Sequence, residues 1–110
     1  MENLDILNQR SLHYKRDGTP FKTFLEWAEA FENTDRRVAF TEFWWGGYVS
    51  TVWLGIDHSF FGGPPLIFET MLFPGTSEMD RYSTEAEAMV GHERFVRKYW
   101  WRFWHRWKRR

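Results

Sequence analysis

Two carboxylate–histidine neighbours are the first residues in this chain that could do chemistry: Asp57-His58 and His92-Glu93. Brought together, they would offer four oxygen and nitrogen ligands to zinc or a similar ion, the basis of a small metal-dependent enzyme. Adjacent residues point in different directions, however, and neither an HxxxH nor an HExxH spacing is present. The expectation is therefore that Asp57 caps a loop while His58 and His92 make ordinary hydrogen bonds. Ser50, Thr51 and Ser59 lie close to His58 in sequence, but no Gly-x-Ser-x-Gly elbow accompanies them. Gly62-Gly63-Pro64-Pro65 is turn chemistry and lacks the Lys-Ser/Thr that follows a phosphate-cradling loop. Glu42 and Glu69 would be paired acids only if they faced one another, and a solvent face suits them better. No catalytic residue, metal ligand or cofactor site is assigned, and a non-enzymatic protein is expected.

Aromatic and cationic side chains make the stronger pattern. Eight tryptophans and eleven phenylalanines occur in 110 residues, although the mean hydropathy is −0.61. The zero formal charge hides a split: residues 1–91 hold 7 Lys/Arg against 14 Asp/Glu, a net of −7, and residues 92–110 hold 8 Lys/Arg against Glu93 alone, a net of +7. On a helical wheel Val96, Trp100, Phe103, Trp104 and Trp107 share one face, opposite Arg94, Lys98, Arg102, His105 and Arg109. Such a helix suits a membrane interface, a groove on a partner, or a second copy of the chain. The residues assigned to interaction are Trp44, Trp45, Trp53, Trp100, Trp101, Trp104 and Trp107, with Arg102 and Arg106. Nucleic acid is disfavoured, because the −7 body would repel phosphates. There is no cysteine, so disulfides and thiolate metal sites are excluded. No apolar run approaches the roughly 18 residues of a membrane span, and no secretory signal is expected at the start of the chain.

The elements that must carry these side chains can be read from periodicity. Residues 1–11 are expected to be a mobile lead-in and Leu12–Lys15 a short edge strand. Turn residues Asp17–Pro20 precede an amphipathic helix, Phe21–Phe31, with Phe24, Trp27, Ala28 and Phe31 on the inward face. Val38–Trp45 and Val49–Ile56 read as strands joined by a two-residue turn at Gly46-Gly47. In the second, Val52, Leu54 and Ile56 are the expected core face, with Trp53 opposite. Asp57–Pro65 connects to a third strand, Leu66–Phe73, and a polar loop leads on to Tyr82. Thr84 and Glu87 have capping-box spacing, opening a helix expected to run to about Trp107. Phe95, Val96 and Trp100 are expected to pack on the sheet. A strand of eight residues spans about 27 Å, whereas 24 helical residues span about 36 Å. Trp104 and Trp107 should therefore overhang, and residues 98–110 form a basic, Trp-rich extension of a single domain. The fold class is α+β: a three- to four-stranded antiparallel meander packed by one short helix and one long C-terminal helix.

The blocks VSTVWLGIDHSF, GPPLIFETMLF and RYSTEAEAMVGHE, with the lead-in HYKRDGTP and the helix segment LEWAEAFE, resemble a family of small uncharacterised proteins of bacteriophages and prophage-like regions. The similarity runs from about His13 to Val96. It implies a phage-encoded protein in the host cytoplasm, membrane-peripheral if the tail meets lipid, and it brings no catalytic residues. The function expected first is a non-enzymatic interaction protein that binds a host or phage protein, a candidate inhibitor of host defence. The alternatives are a peripheral protein on an anionic membrane surface, self-association through the C-terminal helix, and the metal-dependent enzyme above.

Overall fold

A computed structural model describes residues 12–59, 62–74 and 78–100. Helix α1 spans Phe24–Asn33, followed by strands β1 (Arg37–Glu42), β2 (Tyr48–Trp53), β3 (Phe68–Phe73) and β4 (Met79–Tyr82), and helix α2 (Glu85–Tyr99). The strands form one antiparallel sheet in the order β1-β2-β3-β4, a meander in which each strand pairs with its sequence neighbour. With the two helices of the described residues this is an α+β fold.

Thr23 caps α1, its hydroxyl accepting from the Glu26 amide at 3.1 Å. Trp27, Ala30 and Phe31 turn toward the sheet. Phe24, expected inward, is 60% exposed, with ring contacts to His13 edge-on and Trp27 tilted. The edge strand expected at Leu12–Lys15 is reduced to isolated bridges, His13 with Ile56 and Tyr14 with Pro20.

Alternation in β2 and β3 puts Val49, Thr51 and Trp53 beside Leu72, Thr70 and Phe68 on the buried face. The expected core face of β2 was thus the wrong one: Val52 is half-buried on the outer side, and Trp53 is inside. Both faces of the segment are apolar, and Gly55, at φ 72°, breaks the alternation beyond Trp53. A Cβ at Gly55 would strike the indoles of Trp27 and Trp53, so the absent side chain also lets both rings close over the backbone.

Strand β4 is one the sequence does not announce. It is short and polar, with Arg81 bound to Glu69 at 3.0 Å across the outer face, and only Tyr82 reaches the core. Charged side chains on such an edge keep it from pairing with other sheets.

Helix α2 opens on the predicted capping box, with Thr84 and Glu87 exchanging side chain-to-backbone bonds. It crosses all four strands. Its inner stripe is Ala88, Gly91, His92, Phe95 and Tyr99, the i, i+3, i+4, i+7 spacing of one helix face. Gly91 is obligatory in this packing, since a Cβ there would occupy the space of the Tyr82 phenol.

The core has two apolar halves. Trp53, Ile67, Phe68, Tyr82 and Ala88 form one, with α1 against it. Phe43, Val49, Leu72 and Tyr99 form the other. Between them runs a polar belt of Thr51, Thr70 and His92. The opposite face of the sheet, with Phe40, Tyr48, Phe73 and the methionines Met71 and Met79, is covered by neither helix.

Candidate functional site

The turn between β1 and β2 brings the aromatic side chains to one end of the molecule. It is not the two-residue hairpin expected at Gly46-Gly47. The Gly46 amide donates to the Phe43 carbonyl at 3.0 Å, and the Phe43 amide donates to Gly47 at 2.7 Å. Gly46 has φ 99°, the left-handed conformation that closes a three-residue hairpin loop. Strand β1 therefore stops at Glu42, and Trp44 and Trp45 form the tip of the turn instead of the end of a strand.

Trp45 fastens that tip to the helix. Its indole Nε1 donates to the Tyr99 carbonyl at 3.2 Å, a side chain-to-backbone bond that joins the turn to the end of the helix. Its ring stacks on Phe43 at 5.2 Å with an 11° interplanar angle. The same ring lies against Gly47, where a Cβ would collide with it. Phe43 and Tyr99 are buried with Val49 and Leu72 underneath. The hairpin tip and the last turn of α2 thus form one unit with its own apolar base.

Two tryptophans project from this unit: Trp44 is 63% exposed and Trp100 56%. Trp100 had been expected on the sheet. The inner stripe ends at Tyr99, and the next residue is rotated by roughly 100° about the helix axis, which carries Trp100 away from the seam. Phe95 and Val96 do pack inward as expected. Cations accompany the rings. Arg97 and Lys98 occupy the last turn of α2, the end where positive charge offsets the helix dipole, and the Lys98 ammonium stands 5.3 Å from the Tyr99 ring centre. Arg94, one turn earlier, reaches Asp80 at 3.8 Å, both side chains being well exposed, so that pair holds little energy.

Trp53 does not belong with these residues. It is only 2% exposed, lies between Phe21 and Phe31, and donates from Nε1 to the Tyr14 carbonyl at 3.1 Å. It is a core residue that ties the N-terminal segment to the sheet, because burying so large a ring is favourable once its single donor is satisfied. Trp101, Arg102, Trp104, Arg106 and Trp107 lie outside the described residues, as do residues 1–11.

The metal candidates do not converge. Asp57 Oδ1 accepts from the amides of Ser59 at 2.8 Å and Leu66 at 3.1 Å, closing the loop between β2 and β3. His58 lines a shallow cavity of about 420 Å³ with Ser59, Leu66, Met79, Asp80 and Arg81. Glu93 faces solvent, and His92 is 3% exposed beneath the helix. Among the described residues, no three His, Asp or Glu side chains are grouped to hold an ion. Glu42 and Glu69 share the outer face without pairing, since Glu69 is taken by Arg81.

The arrangement that local spacing could not reveal is the one around His92. Its Nε2 is 2.8 Å from Thr41 Oγ1 and its Nδ1 is 2.8 Å from Thr51 Oγ1, which in turn lies 2.6 Å from Thr70 Oγ1. One helix and three strands meet there. A neutral imidazole, donor on one nitrogen and acceptor on the other, satisfies both threonines in either tautomer. Burial pushes the His92 pKa below its ordinary value, and the neighbouring Glu93 opposes that shift. The ring is 3% exposed, and its two bonds clasp helix to sheet.

Comparison with protein-family models, with curated proteins and with solved structures found no match. Among the described residues no helix is long and apolar enough to cross a membrane.

Proposed function

We propose that this chain is a small non-enzymatic interaction protein of phage type, docking onto a component of its host or of the phage through the end built from Trp44, Trp45 and Trp100. One observation carries the reading: Trp45 locks the β1–β2 turn to the end of α2, so two well-exposed tryptophans are presented by packed elements. A large aromatic ring held in place loses little side-chain entropy on binding, which is why such rings dominate interface energetics. Blocking a host-defence factor or another partner protein needs only a complementary surface, and nothing in the arrangement requires a reaction.

Site-specific photo-crosslinking in host cells tests this. A benzoylphenylalanine probe placed at Trp44 or at Trp100 is expected to give the same adduct. A probe at Leu25, exposed on α1 at the other end of the sheet, should not give it. Identical adducts from all three positions, or none from the first two, would remove the assignment of function to the aromatic end.

A further inference from the structure

We infer that the sheet face turned away from α2 is the contact surface of a two-fold dimer of this chain. This surface is distinct from the aromatic end, and the inference stands without the docking reading. Strand pairing sorts the outward side chains into three rows. Arg37, Val52, Glu69 and Arg81 are register partners across the first, and Phe40, Ser50, Met71 and Met79 lie across the second. Glu42, Tyr48 and Phe73 make the third. The rings of Phe40, Tyr48 and Phe73 touch in series, at 5.2 and 4.8 Å between centres. Phe40 and Met79 are 40% and 45% exposed, and both helices pack on the other side of the sheet. Aromatic and methionine side chains thus occupy the middle of an open face, with charges only in its end rows. A contiguous apolar patch of that kind marks a contact surface.

The charges select a second copy as the occupant. Glu69 and Arg81 neutralise each other at 3.0 Å. What remains is Arg37 at one end of β1 and Glu42 at the other, neither in an ion pair among the described residues. The Arg37 guanidinium lies 4.5 Å from the Phe40 ring centre, leaning over the patch. The face as a whole is neutral, so it offers no advantage to a polyanion or a strongly charged peptide. It is complementary to itself. A two-fold axis along the middle row sets Phe40, Ser50 and Met71 opposite their own copies, as an isologous contact requires. The same rotation lays the first row over the third, so that Arg37 meets Glu42 of the partner subunit and Glu42 meets the partner's Arg37. Stacked sheets stand about 10 Å apart, a gap that an arginine and a glutamate span together. Four strands of four to six residues present a face of roughly 350 Å² in projection, and the accessible area of its side chains exceeds that. Two such faces come near the roughly 1,000 Å² that a specific interface needs, so the dimer is expected to be of micromolar strength. The two aromatic ends then face in opposite directions, one at each end of the dimer.

The test is analytical ultracentrifugation of the full chain at about 1 to about 100 μM, a range that brackets micromolar association. A monomer–dimer equilibrium is expected. Met71→Glu puts like charges across the axis and should weaken it roughly tenfold or more. Arg37→Glu and Glu42→Arg should each weaken it about tenfold alone, because both end pairs become repulsive. Mixed in equal amounts, these two variants should associate about as well as the unsubstituted chain, since the mixed dimer again has two pairs of opposite charge. Arg37 and Glu42 are exposed, and matching circular-dichroism spectra would show that the variants fold. If Met71→Glu does not fold, the mixing experiment decides alone. A chain that stays monomeric to about 100 μM overturns the inference and leaves the face to another occupant. So does a dimer that Met71→Glu leaves unchanged, or a pair of charge variants that fail to associate on mixing.

Discussion

His92 is held by hydroxyls alone. Thr41 and Thr51 occupy its two nitrogens, Thr70 extends the chain, and the nearest acid in sequence, Glu93, is on the solvent side. Burial works against an enclosed imidazolium, and Glu93 offsets that only in part. The sign of the pH effect follows. Because the folded pKa lies below the ordinary histidine value of about 6.5, the unfolded chain binds the proton first as pH falls. The stabilisation from neutral His92 is complete above about pH 6.5 and is lost as pH drops from there toward the lowered folded value. Urea unfolding at pH 5.5 and 7.5 should show higher stability at pH 7.5, with a smaller difference in His92→Gln. An equal difference in both proteins would place the effect on other groups. None of this was legible in the sequence: Thr41 and His92 are 51 residues apart. A hydrogen bond between elements leaves no periodic trace, and each threonine alone reads as an ordinary strand residue.

Elements were legible wherever period and punctuation agree. The Thr84–Glu87 box, the meander and the short amphipathic helix all follow from local signals that tertiary packing reinforces. Among the features that did not follow, three have separate physical reasons. The face of β2 slipped by one residue because both of its sides are apolar, a case in which alternation alone cannot choose. Strand β4 carries too few apolar residues to show a pattern, since three of its four side chains face solvent or the outer sheet. Trp100 leaves the sheet because the inner stripe of α2 is fixed by Ala88 and Gly91, whose small size lets the helix approach closely, and not by the larger aromatics. Gly91 offers a direct check of that approach. In an exposed helix Gly→Ala typically stabilises by about 1 kcal/mol. Here the new methyl would meet the Tyr82 ring and hydroxyl, and Gly91→Ala is expected to destabilise by about 1–3 kcal/mol, as overpacked cores do. A double-mutant cycle with Tyr82→Leu should recover part of that loss, because the two sites share one space. A stabilised Gly91→Ala, or strictly additive effects, would mean that helix and sheet are further apart than this packing requires.

Across the whole molecule the two ends of the sheet are built differently, and that difference predicts which part opens first. Strands β2 and β3 supply Val49, Thr51, Trp53, Phe68, Thr70 and Leu72, all buried, and α2 lies across them. Helix α1 has no fully buried residue. It is attached by Trp27, Ala30 and Phe31 against the core and by one indole bond, Trp27 Nε1 to the Leu54 carbonyl at 3.3 Å. Local opening free energies follow buried apolar contact. Native-state hydrogen exchange should therefore find the α1 amides opening at a lower free energy than those of β2 and β3, with Trp27→Ala widening the gap. Equal protection of α1 and the central strands would show one cooperative unit and contradict this view. The aromatic end depends on different supports: the turn and helix end that carry Trp44 and Trp100 are held through Trp45, Phe95 and Val96 against Phe43, Val49, Leu72 and Tyr99, at the far end of β2 from α1. Loosening α1 should leave their presentation intact, so Trp27→Ala is expected to lower protection in residues 24–33 without altering the cross-links formed from positions 44 and 100.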